Sequence, residues 1–332
     1  MTTRLQVLQL GTIEHALQTW ARLGELAHIV TPRATDRASF LAELQTPALR
    51  NTSIIYRTFD SAKVTGLFDA PLIAALPASV RFICHNGAGY DQIDVAACTA
   101  RGIRVSNTPT AVDDATADLN IWLMLGALRG FPRGMAQLRR GEWRKDLPYG
   151  HDPQGKVLGI LGMGGIGRNM ARKARAFGLS VRYYNRRQLS PELEDGAEYV
   201  DMETLLRESD ILSLNLPLNN NTRHSISTAQ FAQMKDGVVI VNTARGAVMD
   251  EAALVAALDS GRVASVGLDV FENEPEVHPG LLSNDKVLLV PHMGTWTTES
   301  QGKMEEWAFS NVERAIKEGK LVSPVAEQAD ME

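Results

Sequence analysis

Three polar segments in the second half of the chain carry residue types suited to acid–base chemistry. Each follows an apolar run, and their sequences are NTARG at 242–246, GLDVFENEP at 267–275 and PHMG at 291–294. We expect them to lie together, because open α/β sheets place their ligands at the carboxyl ends of the strands. They supply a guanidinium that can anchor a carboxylate, an imidazole that can protonate an alkoxide, and a carboxylate that favours the charged imidazole. Hydride transfer to a ketone beside a carboxylate needs these three roles.

A glycine-rich loop, GMGGIG at 162–167, separates an apolar strand from an amphipathic helix. In such a unit the first glycine permits a tight turn, the second lets a pyrophosphate approach the backbone, and the last lets helix and strand pack closely. The start of the helix offers N–H groups and a partial positive charge to the phosphates. We therefore predict a dinucleotide site rather than an ordinary tight turn. Its residues are Gly162, Gly164, Gly165, Ile166 and Gly167.

The end of the next predicted strand bears on which dinucleotide binds. A site for NAD places an acidic residue about 20 positions after the glycines, where it binds the ribose hydroxyls. This chain has Asn185, Arg186 and Arg187 there. Asn185 has no charge to repel a 2′-phosphate, and the two arginines can neutralise that group. The sequence predicts NADP over NAD, with a solvated strand end as the alternative explanation of the arginines.

Composition limits the class of protein. The chain has 332 residues, 44% of them hydrophobic and 22% charged, and a net charge of −5. These values are typical of a globular protein of about two domains and give no general attraction for nucleic acid. The two cysteines cannot form a disulfide framework or a Cys-rich zinc site, so we expect no metal. Because no secretory signal or membrane-spanning run of about 20 apolar residues is present, we expect no membrane partner and a cytoplasmic location.

Short apolar runs alternate with amphipathic stretches along the chain, which predicts parallel βαβ units. The first predicted strands are 4–10, 26–30, 53–57, 81–86 and 103–107, separated by helices near 14–24, 36–48, 69–76 and 91–101. The second series is 156–162, 180–185, 210–216, 237–243, 264–270 and 286–292. A long apolar helix at 115–131 lies between the two series, the polar stretch 139–156 leads into the second, and a final helix near 299–318 ends at Gly319.

These motifs together resemble the D-2-hydroxyacid dehydrogenase family. The matching segments are NGAGYDQID at 86–94, the glycine loop, NTARG, GLDVFENEP and PHMG, in this order over nearly the whole chain. HNGAGYDQID with ATADLNIWLMLGALR is most similar to the branch of fungal glyoxylate/hydroxypyruvate reductases and D-mandelate dehydrogenases. The resemblance implies two doubly wound parallel-sheet domains with the active site in the cleft between them. It implies a flavodoxin-like substrate domain (1–110 and 299–332), a Rossmann coenzyme domain (111–298), and a homodimer through the 115–131 helix.

The resemblance also implies a role for each matched residue. Arg245 would bind the carboxylate and ketone of the substrate, His292 would be the acid/base, and Glu274 would be the partner of His292. Glu272 competes for that last role, but the proline after Glu274 favours Glu274.

Further residues are implied at the substrate and the cofactor. The backbone amides of Ala88 and Gly89 would hold the substrate carboxylate, and Asp269 would orient the nicotinamide carboxamide. The other residues implied at the cofactor are Thr116, Leu216, Pro217, Thr243, Ala244, His292 and Gly294.

Two residues depart from the commonest family pattern. Asn185 replaces the acidic ribose ligand, and Trp296 stands where many members have a small residue. We place Trp296 at the start of the final helix, where it either lines the substrate pocket or packs in the core. His85 precedes the loop expected to bind the carboxylate, and we expect at most an indirect role for it.

The predicted reaction is NADPH-dependent reduction of small 2-keto acids, such as glyoxylate, hydroxypyruvate or phenylglyoxylate, to D-2-hydroxy acids. Phosphoglycerate dehydrogenase shares the three catalytic residue types, and only a form without a regulatory domain would fit. Formate dehydrogenase fits less well, because there an amide partners the histidine. The alternatives from other classes are an NAD(H)-binding corepressor related to the family and a catalytically inactive oligomerisation protein.

Overall fold

The computed structural model describes residues 4–331 and divides into two compact units. One unit comprises the described residues up to Val112 together with those from Trp296 onward, and the other spans Asp113–Thr295. None of the helices within 4–331 is long and apolar enough to cross a membrane.

The first unit contains a five-stranded parallel sheet. Its strands are β1 (Gln6–Leu10), β2 (His28–Val30), β3 (Thr52–Thr58), β4 (Phe82–Asn86) and β5 (Arg104–Ser106). The helices between them are α1 (Leu17–Leu26), α2 (Arg37–Glu43), α3 (Ala62–Thr65), α4 (Ala70–Ala75) and α5 (Val95–Ala100). The strand order β2-β1-β3-β4-β5 is that of the flavodoxin-like fold, which confirms the prediction.

The second unit contains a seven-stranded parallel sheet. Its strands are β6 (Val157–Leu161), β7 (Ser180–Tyr184), β8 (Glu198–Tyr199), β9 (Ile211–Leu214), β10 (Val238–Asn242), β11 (Val263–Leu268) and β12 (Val287–Leu289). Its helices are α6 (Asp113–Leu128), α7 (Phe131–Arg139), α8 (Gly165–Arg175), α9 (Pro191–Glu194), α10 (Met202–Glu208), α11 (Thr228–Gln233), α12 (Glu251–Asp259) and α13 (Pro279–Leu282). The order β8-β7-β6-β9-β10-β11-β12 is the Rossmann order extended by one strand, so the predicted Rossmann unit is confirmed.

Two parts of the second unit differ from the sequence prediction. The helix predicted at 115–131 is wrong at its end, because α6 stops at Leu128 and α7 begins at Phe131. Gly130 adopts a left-handed backbone with φ 64°, and Pro132 occupies the first turn of α7, which together separate the two helices. The edge strand β8 has only two residues, too few for an alternating pattern to predict it.

Apolar side chains cover both faces of each sheet. In the second unit, α6 and α8 pack on one face, and α10, α11 and α12 pack on the other. Such two-sided burial explains why these strands show as continuous apolar runs. Because the strands are parallel, the loops at their carboxyl ends lie along one edge of each sheet.

The final helix, α14 (Thr298–Glu318), packs on the first sheet. The side chain of Thr297 caps its start, and Gly319 ends it with a left-handed backbone at φ 64°, which confirms the predicted end. The ring of Phe309 on this helix lies 4.9 Å from that of Trp20 and 5.4 Å from that of Tyr56, measured between centroids.

A buried carboxylate joins α14 to the start of α1. Glu305 is 4% exposed, and its oxygens accept hydrogen bonds from the N–H groups of Glu14, His15 and Ala16 at 2.7–2.9 Å. These three N–H groups immediately precede α1 and have no acceptor within the helix, so Glu305 supplies the acceptor from another part of the chain.

We expect Glu305→Ala to lower the free energy of unfolding by about 1–3 kcal/mol, because three N–H groups lose a charged acceptor. Urea denaturation followed by circular dichroism measures this change. Glu306→Ala, at the exposed neighbour on the same helix, is the matched control and should change stability by less than about 0.5 kcal/mol. Equal effects of the two variants would contradict the assignment.

Candidate active site

The structure brings the three polar segments to the carboxyl edge of the second sheet. Arg245 follows β10, Glu274 follows β11 and His292 follows β12. These strands are neighbours in the sheet, in the order β12-β11-β10. Parallel pairing therefore places the three segments side by side at one end of adjacent strands.

His292 and Glu274 form a hydrogen-bonded pair. His292 Nδ1 lies 2.8 Å from Glu274 Oε2, and the N–H of Phe271 donates to Glu274 Oε1 at 2.9 Å. Burial acts to raise the pKa of Glu274, but the hydrogen bond and charge of His292, together with the N–H of Phe271 and the charge of Arg245, hold that pKa below its ordinary value. The ionised carboxylate can only accept, so Nδ1 carries a hydrogen and Nε2 is the nitrogen suited to exchange a proton with a bound molecule.

The second glutamate of the same segment has a different partner. Glu272 Oε1 lies 2.5 Å from His224 Nε2, and the N–H of Glu272 donates to Glu251 Oε1 at 2.8 Å. Glu251 is buried, and desolvation raises its pKa. Of the two candidates for the partner of His292, the structure therefore brings Glu274 to the ring and directs Glu272 elsewhere.

Asp269 holds the turn that carries His292. The N–H groups of Met293 and Gly294 donate to its two carboxylate oxygens at 2.6 and 2.9 Å, and the N–H of His292 donates to its carbonyl at 2.7 Å. Burial raises the pKa of Asp269, and the two N–H donors act against that rise. His292 has a φ of 49°, a conformation that costs a non-glycine residue about 1–3 kcal/mol. These bonds maintain a strained turn, a role that sequence reasoning missed.

Arg245 lies in a turn built against the segment that carries Glu274. The side chain of buried Asn242 donates to the carbonyl of Arg245 at 3.0 Å and accepts from the N–H of Ala244 at 3.0 Å. A Cβ on Gly246 would lie 1.9 Å from the carbonyl carbon of Phe271, so the two backbones are in direct contact. The glycine that follows Arg245 is required by this contact.

The glycines of the loop differ in what surrounds them. Gly162 has a φ of 99°, and a Cβ on Gly167 would lie 2.5 Å from the carbonyl oxygen of Gly162. A Cβ on Gly164 would meet no atom within 4 Å. Gly162 and Gly167 thus serve the turn and its packing, whereas Gly164 opens space beside the start of α8. That space fits the backbone approach of a pyrophosphate.

A carboxylate that the sequence patterns do not single out lies beside this loop. A Cβ on Gly165 would stand 2.0 Å from Asp113 Oδ2, so the Asp113 side chain occupies that place. Burial raises the pKa of Asp113 to about 6, with Arg168 acting against the rise. Ile166, the remaining predicted residue of the loop, packs half-buried against the core shared by α6 and α8.

The predicted ribose-binding residues lie next to the glycine loop. The N–H of Met163 donates to Asn185 Oδ1 at 2.7 Å, which fixes the end of β7 beside the loop. Arg186 and Arg187 are exposed, and neither forms an ion pair with any residue in 4–331. Their charges are therefore not neutralised within the described chain.

The other residues predicted at the cofactor occupy the same edge. The Thr116 hydroxyl donates to the carbonyl of Gly294 at 3.4 Å. Thr243 is buried, and its hydroxyl oxygen has no hydrogen-bond partner in the described part of the chain. Leu216, close to Gly162, and Pro217 follow β9, and Ala244 follows β10.

The residues predicted at the substrate carboxylate lie in the first unit. Ala88 and Gly89 follow β4, at the carboxyl edge of the first sheet. On the neighbouring strand β3, Arg57 pairs with His85, is fully buried, donates to Gln92 Oε1 at 2.6 Å and stacks on the ring of Phe68. Burial lowers the pKa of Arg57 to about 10. An arginine inside the apolar run SIIYRT was the available signal for this residue.

Trp296 does not lie on the final helix. The helix begins at Thr298, and the side chain of Trp296 is 71% exposed. The helix start predicted near 299 is confirmed, but the placement of Trp296 on the helix and the core-packing alternative for its side chain are wrong. Thr297 caps the helix, so Trp296 falls in the preceding turn. Its place in a substrate pocket stays a prediction.

Comparison with curated proteins gives close relatives over nearly the full length. The chain is 52% identical to 4-methyl-2-oxopentanoate reductase A of Aspergillus oryzae over 324 residues, which cover 98% of each protein. It is 47% identical to glyoxylate reductase 1 of Saccharomyces cerevisiae over 336 residues, which cover 98% of this chain and 96% of the yeast protein.

Solved structures have the same architecture. A glyoxylate reductase from Paecilomyes thermophila superposes with a TM-score of 0.96 at 53% identity, covering 99% of this chain and 100% of its own. D-mandelate dehydrogenase of Rhodotorula graminis superposes with a TM-score of 0.93 at 34% identity, covering 98% of each chain. The NADPH-dependent glyoxylate/hydroxypyruvate reductase of Sinorhizobium meliloti, in complex with NADP and malonate, superposes with a TM-score of 0.85. It is 32% identical, and the match covers 98% of each chain.

A family model also matches the second unit. Residues 121–294 match the model of the NAD binding domain of D-isomer specific 2-hydroxyacid dehydrogenases. The match covers the glycine loop, Arg245, Glu274 and His292. The family model covers more than half of the chain, and the relatives match it over nearly its full length. The chain therefore belongs to the D-isomer specific 2-hydroxyacid dehydrogenase family.

Proposed function

We propose that this oxidoreductase reduces small 2-keto acids to D-2-hydroxy acids with NADPH. The observation that carries the proposal is the His292–Glu274 pair beside the turn of Arg245, on the sheet that also bears the glycine loop. The names of the relatives support the substrate class, since they include reductases of glyoxylate, hydroxypyruvate and 4-methyl-2-oxopentanoate.

Each residue has a distinct role in the proposed reaction. Arg245 binds the substrate carboxylate and its ketone oxygen, and the amides of Ala88 and Gly89 bind the carboxylate as well. His292 donates the proton from Nε2 to the ketone oxygen, and Glu274 stabilises the imidazolium before that transfer. When bound, the nicotinamide supplies the hydride that reaches C2.

The cofactor preference rests on the end of β7. Asn185 has no charge, and Arg186 and Arg187 are exposed without ion pairs among residues 4–331, which suits a 2′-phosphate. The NADP complex of the Sinorhizobium meliloti relative supports the same choice. The carboxylate of Asp269 has more lone pairs than the N–H groups of Met293 and Gly294 use, and the remaining ones orient the nicotinamide carboxamide.

The proposal extends to substrate size and assembly. Trp296 offers an exposed apolar ring for a larger substrate side chain. A homodimer through α6 and the following helix would cover exposed apolar side chains, which are Trp122, Phe131, Met135 and Leu138. Both cysteines are buried and unpaired, which suits a reducing compartment and a cytoplasmic location.

Replacement of Gly164 separates a ligand-binding role from a structural one. Gly164→Ala should leave the melting temperature unchanged, because its Cβ enters open space, and should weaken NADPH binding about tenfold or more by blocking the backbone. Fluorescence titration with NADPH measures the affinity. Gly167→Ala, whose Cβ meets a carbonyl oxygen, is the contrasting control and should lower the melting temperature. Unchanged NADPH affinity in Gly164→Ala would rule out this cofactor site.

Replacement of Asn185 tests the cofactor preference. Asn185→Asp keeps an acceptor for the N–H of Met163 and introduces a charge that repels the 2′-phosphate and binds ribose hydroxyls. The ratio of kcat/KM for NADH to that for NADPH should rise in this variant. Arg187→Gln should lower kcat/KM for NADPH alone. Equal kcat/KM for the two cofactors in the unmodified protein would contradict the proposed preference.

The two glutamates of the 267–275 segment provide a matched test of catalysis. His292→Gln and Glu274→Gln should each lower kcat by about 10²–10⁴-fold, because proton transfer by a positioned acid contributes that factor. Glu272→Gln, which alters the partner of His224, should change kcat by less than about threefold. Steady-state kinetics with glyoxylate measures all three. Full turnover in Glu274→Gln, or an equal loss in Glu272→Gln, would show that the partner has been misassigned.

A further inference from the structure

The loop after β4 is held by a separate donor at each of three successive carbonyls. The N–H of Thr108 donates to the carbonyl of Gly87 at 3.0 Å, and the side-chain amide of Asn107 donates to that of Ala88 at 2.7 Å. His85 Nε2 lies 2.9 Å from the carbonyl oxygen of Gly89. A carbonyl can only accept, so this nitrogen carries the hydrogen.

These donors determine where the amides of the loop point. In a trans peptide the N–H is directed opposite to the C=O, so each amide N–H points away from the donor that holds its own peptide unit. The amides concerned belong to Ala88, Gly89 and Tyr90. None of them has an acceptor among the described residues. Successive backbone amides of this kind form anion-binding sites.

His85 is placed to act on this loop specifically. It is fully buried near the end of β4, and one residue, Asn86, separates it from the loop. A Cβ on Gly87 would lie 2.5 Å from His85 Nε2, so the ring packs directly against the loop backbone. Asn107 is only half-buried and reaches the next carbonyl from the end of β5.

We propose that His85 and Asn107 are positioning residues that orient the loop amides toward the substrate carboxylate and so set the preference for acids over neutral ketones. This inference rests on the proposed function. Neither side chain need touch the substrate. Loss of either donor lets a peptide unit rotate, which removes an aligned N–H from the carboxylate and leaves the ketone chemistry at His292 unaltered.

The test compares a 2-keto acid with its neutral ester. The kcat/KM values for pyruvate and methyl pyruvate are measured with NADPH in the full chain, together with the Kd of NADPH. The variants are His85→Leu, which lacks a donor, His85→Gln, which keeps an N–H donor, and Asn107→Ala. His28→Leu, at an exposed histidine on β2, is the control.

We expect His85→Leu and Asn107→Ala to lower the acid-to-ester ratio of kcat/KM about tenfold, mainly through KM for the acid, with an unchanged Kd of NADPH. The ratio in His85→Gln should stay close to that of the unmodified protein, and the ratio in His28→Leu should equal it. General destabilisation would lower kcat/KM for both substrates by the same factor and leave the ratio unchanged.

An unchanged ratio in both His85→Leu and Asn107→Ala would overturn the inference while the proposed function stands. If His85→Leu fails to fold, Asn107→Ala still decides between the two results. Absence of keto-acid reduction by the unmodified protein, despite NADPH binding, would overturn the proposed function and this inference with it.

Discussion

The hydrogen bonds accepted by Asp269 are the constraint on which the edge of the second sheet depends. His292 has a left-handed backbone that a histidine does not favour, and the bonds from Met293, Gly294 and His292 itself to Asp269 maintain it. Without them the turn could relax, and the imidazole would leave Glu274. The buried carboxylate therefore stabilises the geometry in which the imidazole of His292 is held against Glu274.

Glu272 and Glu274 lie two positions apart on one segment and have different partners. Glu274 lies against His292, whereas Glu272 lies against His224 and its N–H bonds to buried Glu251. The Glu272 contacts tie the segment to the start of α12 and to the chain before α11, which limits its movement. The same principle operates in the first unit, where fixed donors hold the carbonyls of a short loop. In both units the strands end in turns, and hydrogen bonds from neighbouring residues hold the backbone of each turn in place.

Much of the fold follows from local sequence. Apolar runs predicted the strands of both sheets apart from β8, and the glycine loop predicted the start of α8. Local pattern failed at the end of α6, where the signal from Gly130 and Pro132 lay inside an apolar stretch, and at Trp296, which precedes the cap of α14. It also missed the structural role of Asp269, the Glu272–His224 pair and buried Arg57. Those features depend on contacts between distant residues, which residue spacing does not encode.

The central claim is that this chain transfers hydride from a nicotinamide to C2 of a keto acid while its histidine delivers the proton to oxygen. Reduction of a keto acid with NADPH that carries deuterium at the transferable C4 position tests the hydride transfer and its stereochemistry directly. Chiral chromatography with mass spectrometry should find one deuterium, bonded to C2, in the D-2-hydroxy acid. Formation of the L enantiomer, or of a product without deuterium at C2, would contradict the account.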